Sequence, residues 1–138
     1  MDKQFNTTVL AYIGDAVYEV YVRRHVLQSG QANADKLHQM AVKYVRAEGQ
    51  AKALKAIYDG LSREEQDLVK RARNRKTTSK PQNADPVIYK LATAFEALLG
   101  YLYMADDQKR INEVLNLAFS AIESEGNGQK GKGHEQSR

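Results

Sequence analysis

The chain has 138 residues, of which 42% are hydrophobic, and a net charge of +4, a composition that suits one domain with a single core. The absence of cysteine excludes disulfides, thiolate nucleophiles and cysteine zinc sites, and the three histidines lie too far apart for a local metal motif. No apolar run is as long as a membrane span and the N-terminus does not resemble a signal peptide, so we expect a cytoplasmic protein with no membrane partner.

Hydrophobic periodicity predicts an all-α chain, and its first three helices lie before residue 61. The first helix is capped by one of residues 6–8, and its apolar residues recur every three or four positions. The second begins after Asn33 or Asp35, and a break at residues 48–49 separates it from the third. Gly60 ends the third helix.

The fourth helix leads into a long basic segment. It begins at a capping box formed by Ser62 and Glu65 and runs toward Arg73, after which residues 74–85 are predicted to be a loop. Six basic residues and no acidic residue occur between Asp67 and Asp85, so the basic loop 70–85 accounts for more than the whole net charge of +4. This concentration favours a phosphate-binding element, and the alternative is a solvated charged surface.

The fifth helix is the most apolar in the chain and should therefore be central. It starts at Asp85, an N-cap that a proline follows, and a sixth helix ends near Glu123. The glycine-rich residues beyond it have little apolar surface to bury. We therefore expect one helical domain over residues 1–123 and a disordered polar tail over residues 124–138.

Two carboxylates interrupt apolar helices, Asp15 in the first and Glu96 in the fifth. Because an unpaired buried carboxylate is costly, each should have a cation or several donors as partners. If the two helices pack side by side, both carboxylates could hold one hard divalent cation, although a salt bridge to arginine would give the same pattern. Glu19 shares the face of Asp15 and could be an outer ligand or could pair with Arg23.

The segments that contain these carboxylates resemble the two signature segments of the ribonuclease III family. They are Ala-Tyr-Ile-Gly-Asp-Ala-Val at residues 11–17 and Thr-Ala-Phe-Glu-Ala-Leu-Leu-Gly at residues 93–100. Both occur in the family's order, about eighty residues apart, on an all-helical chain. The resemblance covers about residues 6–123 and implies a ribonuclease III-type endonuclease domain.

The sequence also departs from the larger enzymes of that family. They have a glutamate four residues before the Asp15 position and an aspartate three residues before the Glu96 position, where this chain has Ala11 and Thr93. We also expect no double-stranded-RNA-binding domain, because the residues after the sixth helix form a polar tail. In both respects the chain is similar to the Mini-ribonuclease III group, which consists of the catalytic domain alone.

The resemblance implies a symmetric homodimer that cleaves double-stranded RNA and leaves 5′-phosphate and 3′-hydroxyl ends. Asp15 and Glu96 would be the catalytic, metal-binding residues, Glu19 and Thr93 candidate outer ligands, and Mg²⁺ the cofactor, with Mn²⁺ as a substitute. Precursor 23S ribosomal RNA is the expected substrate, and a ribosomal protein is a candidate helper. The expected RNA contacts are Lys70, Arg71, Arg73, Arg75, Lys76, Thr77, Thr78, Ser79 and Lys80.

Two other functions remain open at this point. The missing acidic positions favour, as an alternative, a non-catalytic double-stranded-RNA-binding or ribosome-associated protein on the same fold. A helical DNA-binding regulator would fit the charge but leaves Asp15 and Glu96 without a reason. Tyr12, Tyr18 and Tyr21 suit a dimer interface, and they suit the core equally well.

Overall fold

Six α-helices and one short 3-10 helix make up the part of the chain that the structure, a computed structural model, describes. That part comprises residues 5–76 and 83–134, with side chains described as far as Ser124. It contains no strand, which confirms the all-α prediction. The helices are α1 (Thr7–Leu27), α2 (Ala34–Val45), α3 (Ala47–Ile57), α4 (Arg63–Asn74), α5 (Pro86–Met104) and α6 (Gln108–His134).

Side-chain caps fix the predicted helix starts. Asn6 accepts a hydrogen bond from the Val9 amide at 2.9 Å at the start of α1. At the start of α2, Asn33 accepts a hydrogen bond from the Lys36 amide. The predicted capping box of α4 is present, since Ser62 and Glu65 each accept from the other's backbone amide. These bonds satisfy amides that have no partner within the helix.

The break between α2 and α3 lies at Arg46, so the prediction of a break at residues 48–49 is wrong. Arg46 has an extended backbone, with φ −73° and ψ 159°, and α3 begins at the next residue. Gly49 lies inside α3, where a Cβ atom would overlap the carbonyl oxygen of Lys43. This glycine therefore permits close approach of α2 and α3 rather than interrupting a helix.

The last helix, α6, does not end near Glu123, where the sequence placed its end. Its backbone continues as a helix to His134. The added stretch contains no proline, and extending an existing helix costs much less than starting one. Residues 135–138 of the expected tail lie outside the described part of the chain.

The central helix of the domain is α5, as its composition predicts. It packs against α1, α3, α4 and α6, and it buries nine residues, including Phe95 and Leu98. The Phe95 ring meets the edge of Tyr18 on α1, with centroids 5.2 Å apart. By length and composition α5 could also cross a membrane, but its place in the core accounts for its apolar sequence.

A buried ion pair joins α4 to α6. Glu65 is 6% exposed, and its carboxylate accepts two hydrogen bonds from the Arg110 guanidinium, at 2.7 and 2.8 Å. Because Arg110 donates to both carboxylate oxygens, it lowers the pKa of Glu65 below its usual range. The pair fixes the start of α6 against the start of α4.

Candidate metal centre

The site forms where α1 and α5 cross in backbone contact. A Cβ atom on Gly14 would overlap the carbonyl oxygen of Glu96, and one on Gly100 would overlap the carbonyl oxygen of Leu10. Only glycine leaves room for so close a crossing. The helices make the most extensive helix-to-helix contact in the domain, as the proposed side-by-side packing requires.

This crossing brings the carboxyl groups of Asp15 and Glu96 together. The Gly14 backbone, next to Asp15 in the chain, lies against the backbone of Glu96, and the two carboxyl groups interact electrostatically. Burial, followed by the negative charge of Asp15, raises the pKa of Glu96 to about 8. Glu96 is therefore largely protonated at neutral pH when no cation is present.

Asp15 itself is exposed, so the expectation that it lies buried in a core helix is wrong. The face of α1 that contacts the core contains Leu10, Gly14, Val17 and Tyr18, and Asp15 lies beside that face. Glu96 is half-buried. The pair thus consists of one carboxyl group inside the helix crossing and one at its mouth, which is open to solvent.

The two carboxyl groups fit a hard divalent cation. The negative charge of Asp15 helps to raise the pKa of Glu96, and a divalent cation bound by both groups would relieve the same repulsion. Within the described ranges no group of three or more His, Cys, Asp or Glu could hold a metal. A cation here would therefore keep several waters, as Mg²⁺ usually does when one or two carboxylates bind it.

No cationic side chain among the described residues contributes to the shifted pKa of Glu96. The salt bridge to arginine that the sequence left open is therefore not what holds this carboxyl group.

The two candidate outer ligands have different surroundings. Glu19 accepts a hydrogen bond at 2.8 Å from Nε of Arg23, which is the ion pair that their spacing left open as an alternative. Thr93 is half-buried one turn before Glu96, so it lies on the same face of α5. Both remain candidates for contact with metal-bound water.

Gln50 is a residue of this site that the sequence reasoning missed. It lies on α3, is 4% exposed, donates a hydrogen bond to the carbonyl oxygen of Val45, and acts to lower the pKa of Glu96. The available signal was its position on the buried face of α3, one turn before Ala53 and Leu54. A polar residue at such a position needs an internal partner.

Five residues of the predicted RNA-binding segment are described, and all five are exposed. Lys70, Arg71 and Arg73 project from the last turns of α4, and Arg75 and Lys76 follow it. Thr77, Thr78, Ser79 and Lys80 lie outside the described residues. The first part of the segment is therefore helical and fixed to the domain, since Ala72 between its arginines is buried.

The three tyrosines proposed for an interface separate into different environments. Tyr12 is 82% exposed, whereas Tyr18 is 1% exposed and donates a hydrogen bond to the carbonyl oxygen of Tyr44 at 2.7 Å. Tyr21 is half-buried and receives a hydrogen bond from Gln108. Tyr18 is thus a core residue, and of the three Tyr12 alone is largely exposed.

Known proteins share both this sequence and this fold. The model of the Ribonuclease III domain matches residues 8–107. A Mini-ribonuclease 3 of Thermoanaerobacter sp. (strain X514) is 46% identical over 115 residues, which are 83% of this chain and 81% of that protein. A Mini-ribonuclease 3 of Symbiobacterium thermophilum is 46% identical over 114 residues, which are 83% of this chain and 88% of that protein.

A solved structure agrees with these relatives. The crystal structure of a Fusobacterium nucleatum protein superimposes with a TM-score of 0.77 at 30% identity, covering 86% of this chain and 91% of that one. The family model matches well over half of the chain, and the relatives are matched over most of their own length. The chain therefore belongs to the ribonuclease III family, within its Mini-ribonuclease 3 group, and is an endoribonuclease.

Proposed function

We propose that this chain is a Mg²⁺-dependent endoribonuclease that cleaves double-stranded RNA to 5′-phosphate and 3′-hydroxyl ends. The observation that carries the proposal is the pairing of Asp15 and Glu96 across the crossing of α1 and α5. Membership of the Mini-ribonuclease 3 group supports precursor 23S ribosomal RNA as the substrate, in the cytoplasm. A ribosomal protein that presents this RNA is part of the same proposal.

Asp15 and Glu96 would hold the Mg²⁺ ion, or Mn²⁺ in its place. When bound, the ion supplies an activated water and offsets the negative charge that develops on the phosphate. Exposed Asp15 faces the side from which an RNA backbone can approach, while half-buried Glu96 is held inside the crossing. With alanine and threonine at the two other acidic positions of the family, water completes the coordination.

The basic segment would hold the duplex by its backbone. Lys70, Arg71 and Arg73 are exposed on α4, and charge on a helix surface can follow phosphates without reading bases. We expect alanine at Arg73, Arg75, Lys76 and Lys80 to weaken duplex binding and to flatten its salt dependence, by about 0.9 in log–log slope per lost phosphate contact. An unchanged slope would exclude this segment from RNA binding.

An exposed apolar stripe on α1 supports the symmetric dimer. Its members recur at helical spacing, with Tyr12 82% and Val20 62% exposed, and they are Val9, Tyr12, Ala16, Val20 and Leu27. Arg23 interrupts the stripe between Val20 and Leu27, and the apolar part before it is typical of a protein interface. Asp15 lies one turn after Tyr12, so the stripe borders the metal site.

Cleavage of a long RNA duplex tests the proposal. The wild-type chain should cut it with Mg²⁺ and leave it intact with chelator, and the product ends should be 5′-phosphate and 3′-hydroxyl. Asp15→Asn and Glu96→Gln should still bind the duplex but not cut it, because each removes one of two ligands. Tight binding without any cleavage by the wild-type chain would overturn the proposal in favour of a non-catalytic RNA-binding protein.

A further inference from the structure

A basic cleft lies where the start of α1 meets the end of α4. This α1–α4 cleft is open to solvent, has a volume of about 470 Å³, and is lined by Phe5, Asn6, Thr7, Arg71, Asn74 and Arg75. These residues contribute two guanidinium groups, and none of them is acidic. A cleft that presents positive charge on one side and no negative charge favours an anionic ligand.

The two arginines of the cleft have no counter-ion among the described residues. Arg71 and Arg75 lie four positions apart at the end of α4, so they share one face of it. Neither forms an ion pair with a residue that the structure describes. Glu64 lines an adjoining cavity together with Arg71, but its carboxylate accepts a hydrogen bond of 2.6 Å from the Tyr101 hydroxyl. Both guanidinium groups are therefore available to an external anion.

The opposite wall of the cleft is the first turn of α1, which presents further donors. The Asn6 side chain caps the Val9 amide at 2.9 Å, whereas the amides of Thr7 and Thr8 have no partner within the helix. The Thr7 side chain is 7% exposed, and its hydroxyl has no hydrogen-bond partner among the described residues. Because a buried polar group normally has a partner, a bound oxyanion would supply the one that Thr7 lacks. The partial positive charge at the start of the helix acts in the same direction.

The chemistry and the size of the cleft fit a phosphate that belongs to a nucleic acid chain. Arginine binds phosphate through two parallel hydrogen bonds, which suits a pair of guanidinium groups on one wall. A volume of about 470 Å³ also leaves room for the sugars on either side of a phosphate. Phe5, which lines the cleft and packs against the core, offers an apolar surface to a ribose.

We propose that the α1–α4 cleft binds one phosphate of the duplex backbone, an inference that rests on the function proposed above. Arg71 and Arg75 donate to its oxygens from α4, and Thr7 donates from α1. Thr7 precedes Asp15 by eight residues of the same helix, a separation of about 12 Å along the axis. The cleft therefore holds the duplex at a fixed distance from the metal site, whereas a charged surface alone attracts phosphates without fixing their position.

Titration with inorganic phosphate at constant ionic strength tests the cleft without RNA or metal. In amide NMR spectra of the full chain, we expect the peaks of Thr7 and Thr8 to shift until they saturate. Arg71→Ala should weaken this binding at least about tenfold, because it removes a charged donor. Arg73→Ala is the matched control, since it removes the same charge from the same helix at a position that does not line the cleft. Equal losses of phosphate affinity in both variants, or peaks that do not move, would overturn the inference.

A short RNA duplex with hydroxyl ends distinguishes the RNA backbone from a free phosphate. Without metal it should shift the same peaks of Thr7 and Thr8, and Arg71→Ala should reduce these shifts. If the peaks respond only to RNA that carries a 5′-phosphate, the cleft binds strand ends and the inference is wrong. The outcome for the proposed function is separate: phosphate binding in the cleft by a wild-type chain that cuts no duplex would refute the nuclease alone, whereas duplex cleavage without phosphate binding in the cleft would refute the cleft alone.

Discussion

Replacing Gly14 by alanine should separate the two helices that carry the metal ligands. Both atoms of the resulting overlap are fixed to helix backbone, the new Cβ on α1 and the carbonyl oxygen of Glu96 on α5. No change of side-chain rotamer can relieve it, so the helices must move apart by roughly 1.5 Å to restore an ordinary contact. The displaced residues include Asp15 itself.

Two opposing effects set the size of the change in the free energy of unfolding. Alanine is favoured over glycine inside a helix by about 1 kcal/mol, whereas inserting an atom into a packed interior costs about 1–3 kcal/mol. Separating α1 from α5 also weakens the contacts of the buried side chains around the crossing, such as Leu10 and Leu98. We expect a net loss of about 1–2 kcal/mol, which lowers Tm by roughly 5 °C.

The effect on activity should be larger than the effect on stability. A misplacement of about 1 Å at a reacting centre can reduce the rate on the order of a hundredfold. Thermal unfolding followed by circular dichroism measures the first effect, and duplex cleavage with saturating Mg²⁺ measures the second. Gly60→Ala is the control, because a Cβ there has no atom within 4 Å. A Gly14→Ala protein as stable and as active as Gly60→Ala would refute this account of the crossing.

Three further outcomes are expected. The raised pKa of Glu96, about 8 against an ordinary 4.5, stabilises the metal-free fold below about pH 4.5, and this stability is lost as pH rises toward 8. Glu96→Gln should remove that dependence in urea titrations, and an unaltered pH profile would contradict it. Arg110→Met should destabilise the fold by about 3 kcal/mol at pH 7, because it leaves the Glu65 carboxylate buried without its partner. Because the pKa of Glu65 is lowered, the stability lost in Arg110→Met should become smaller as the pH falls through the pKa of Glu65. A loss of stability that stays constant down to pH 2 would exclude the ion pair of Glu65 and Arg110 as its cause. Tyr12→Asp should convert a dimer to a monomer in light scattering without lowering Tm by more than a few degrees, since the side chain is 82% exposed, and a persistent dimer would place the interface elsewhere.

Local signals in the sequence were enough to predict most helix starts. Ser62 with Glu65, and Asp85 before a proline, form caps whose chemistry depends on a few neighbouring residues. The break at Arg46 has no such signal, because neither a cap side chain nor a proline marks it. The glycine at position 49 resembles a helix stop in sequence, but its role depends on the carbonyl of Lys43 on a neighbouring helix.

The exposure of Asp15 could not be predicted from α1 alone. Apolar residues occur around most of that helix, so periodicity does not distinguish the face toward α5 from the stripe that contains Tyr12 and Val20. The pairing of Asp15 with Glu96 was nevertheless predictable, because each lies in a recognisable segment with a glycine nearby. Gln50 could not be assigned to the site, since its relation to Glu96 exists only after α3 packs on α5.

The contact of backbone with backbone at Gly14 and Gly100 has a consequence for how the ion binds. The spacing of the two ligand-bearing helices does not depend on side chains that can repack, so it should be the same with and without metal. Ion binding should then bring little ordering entropy and a small heat-capacity change. Discrimination between Mg²⁺ and the larger Ca²⁺ would follow from the rigidity of the frame rather than from its closure around the ion.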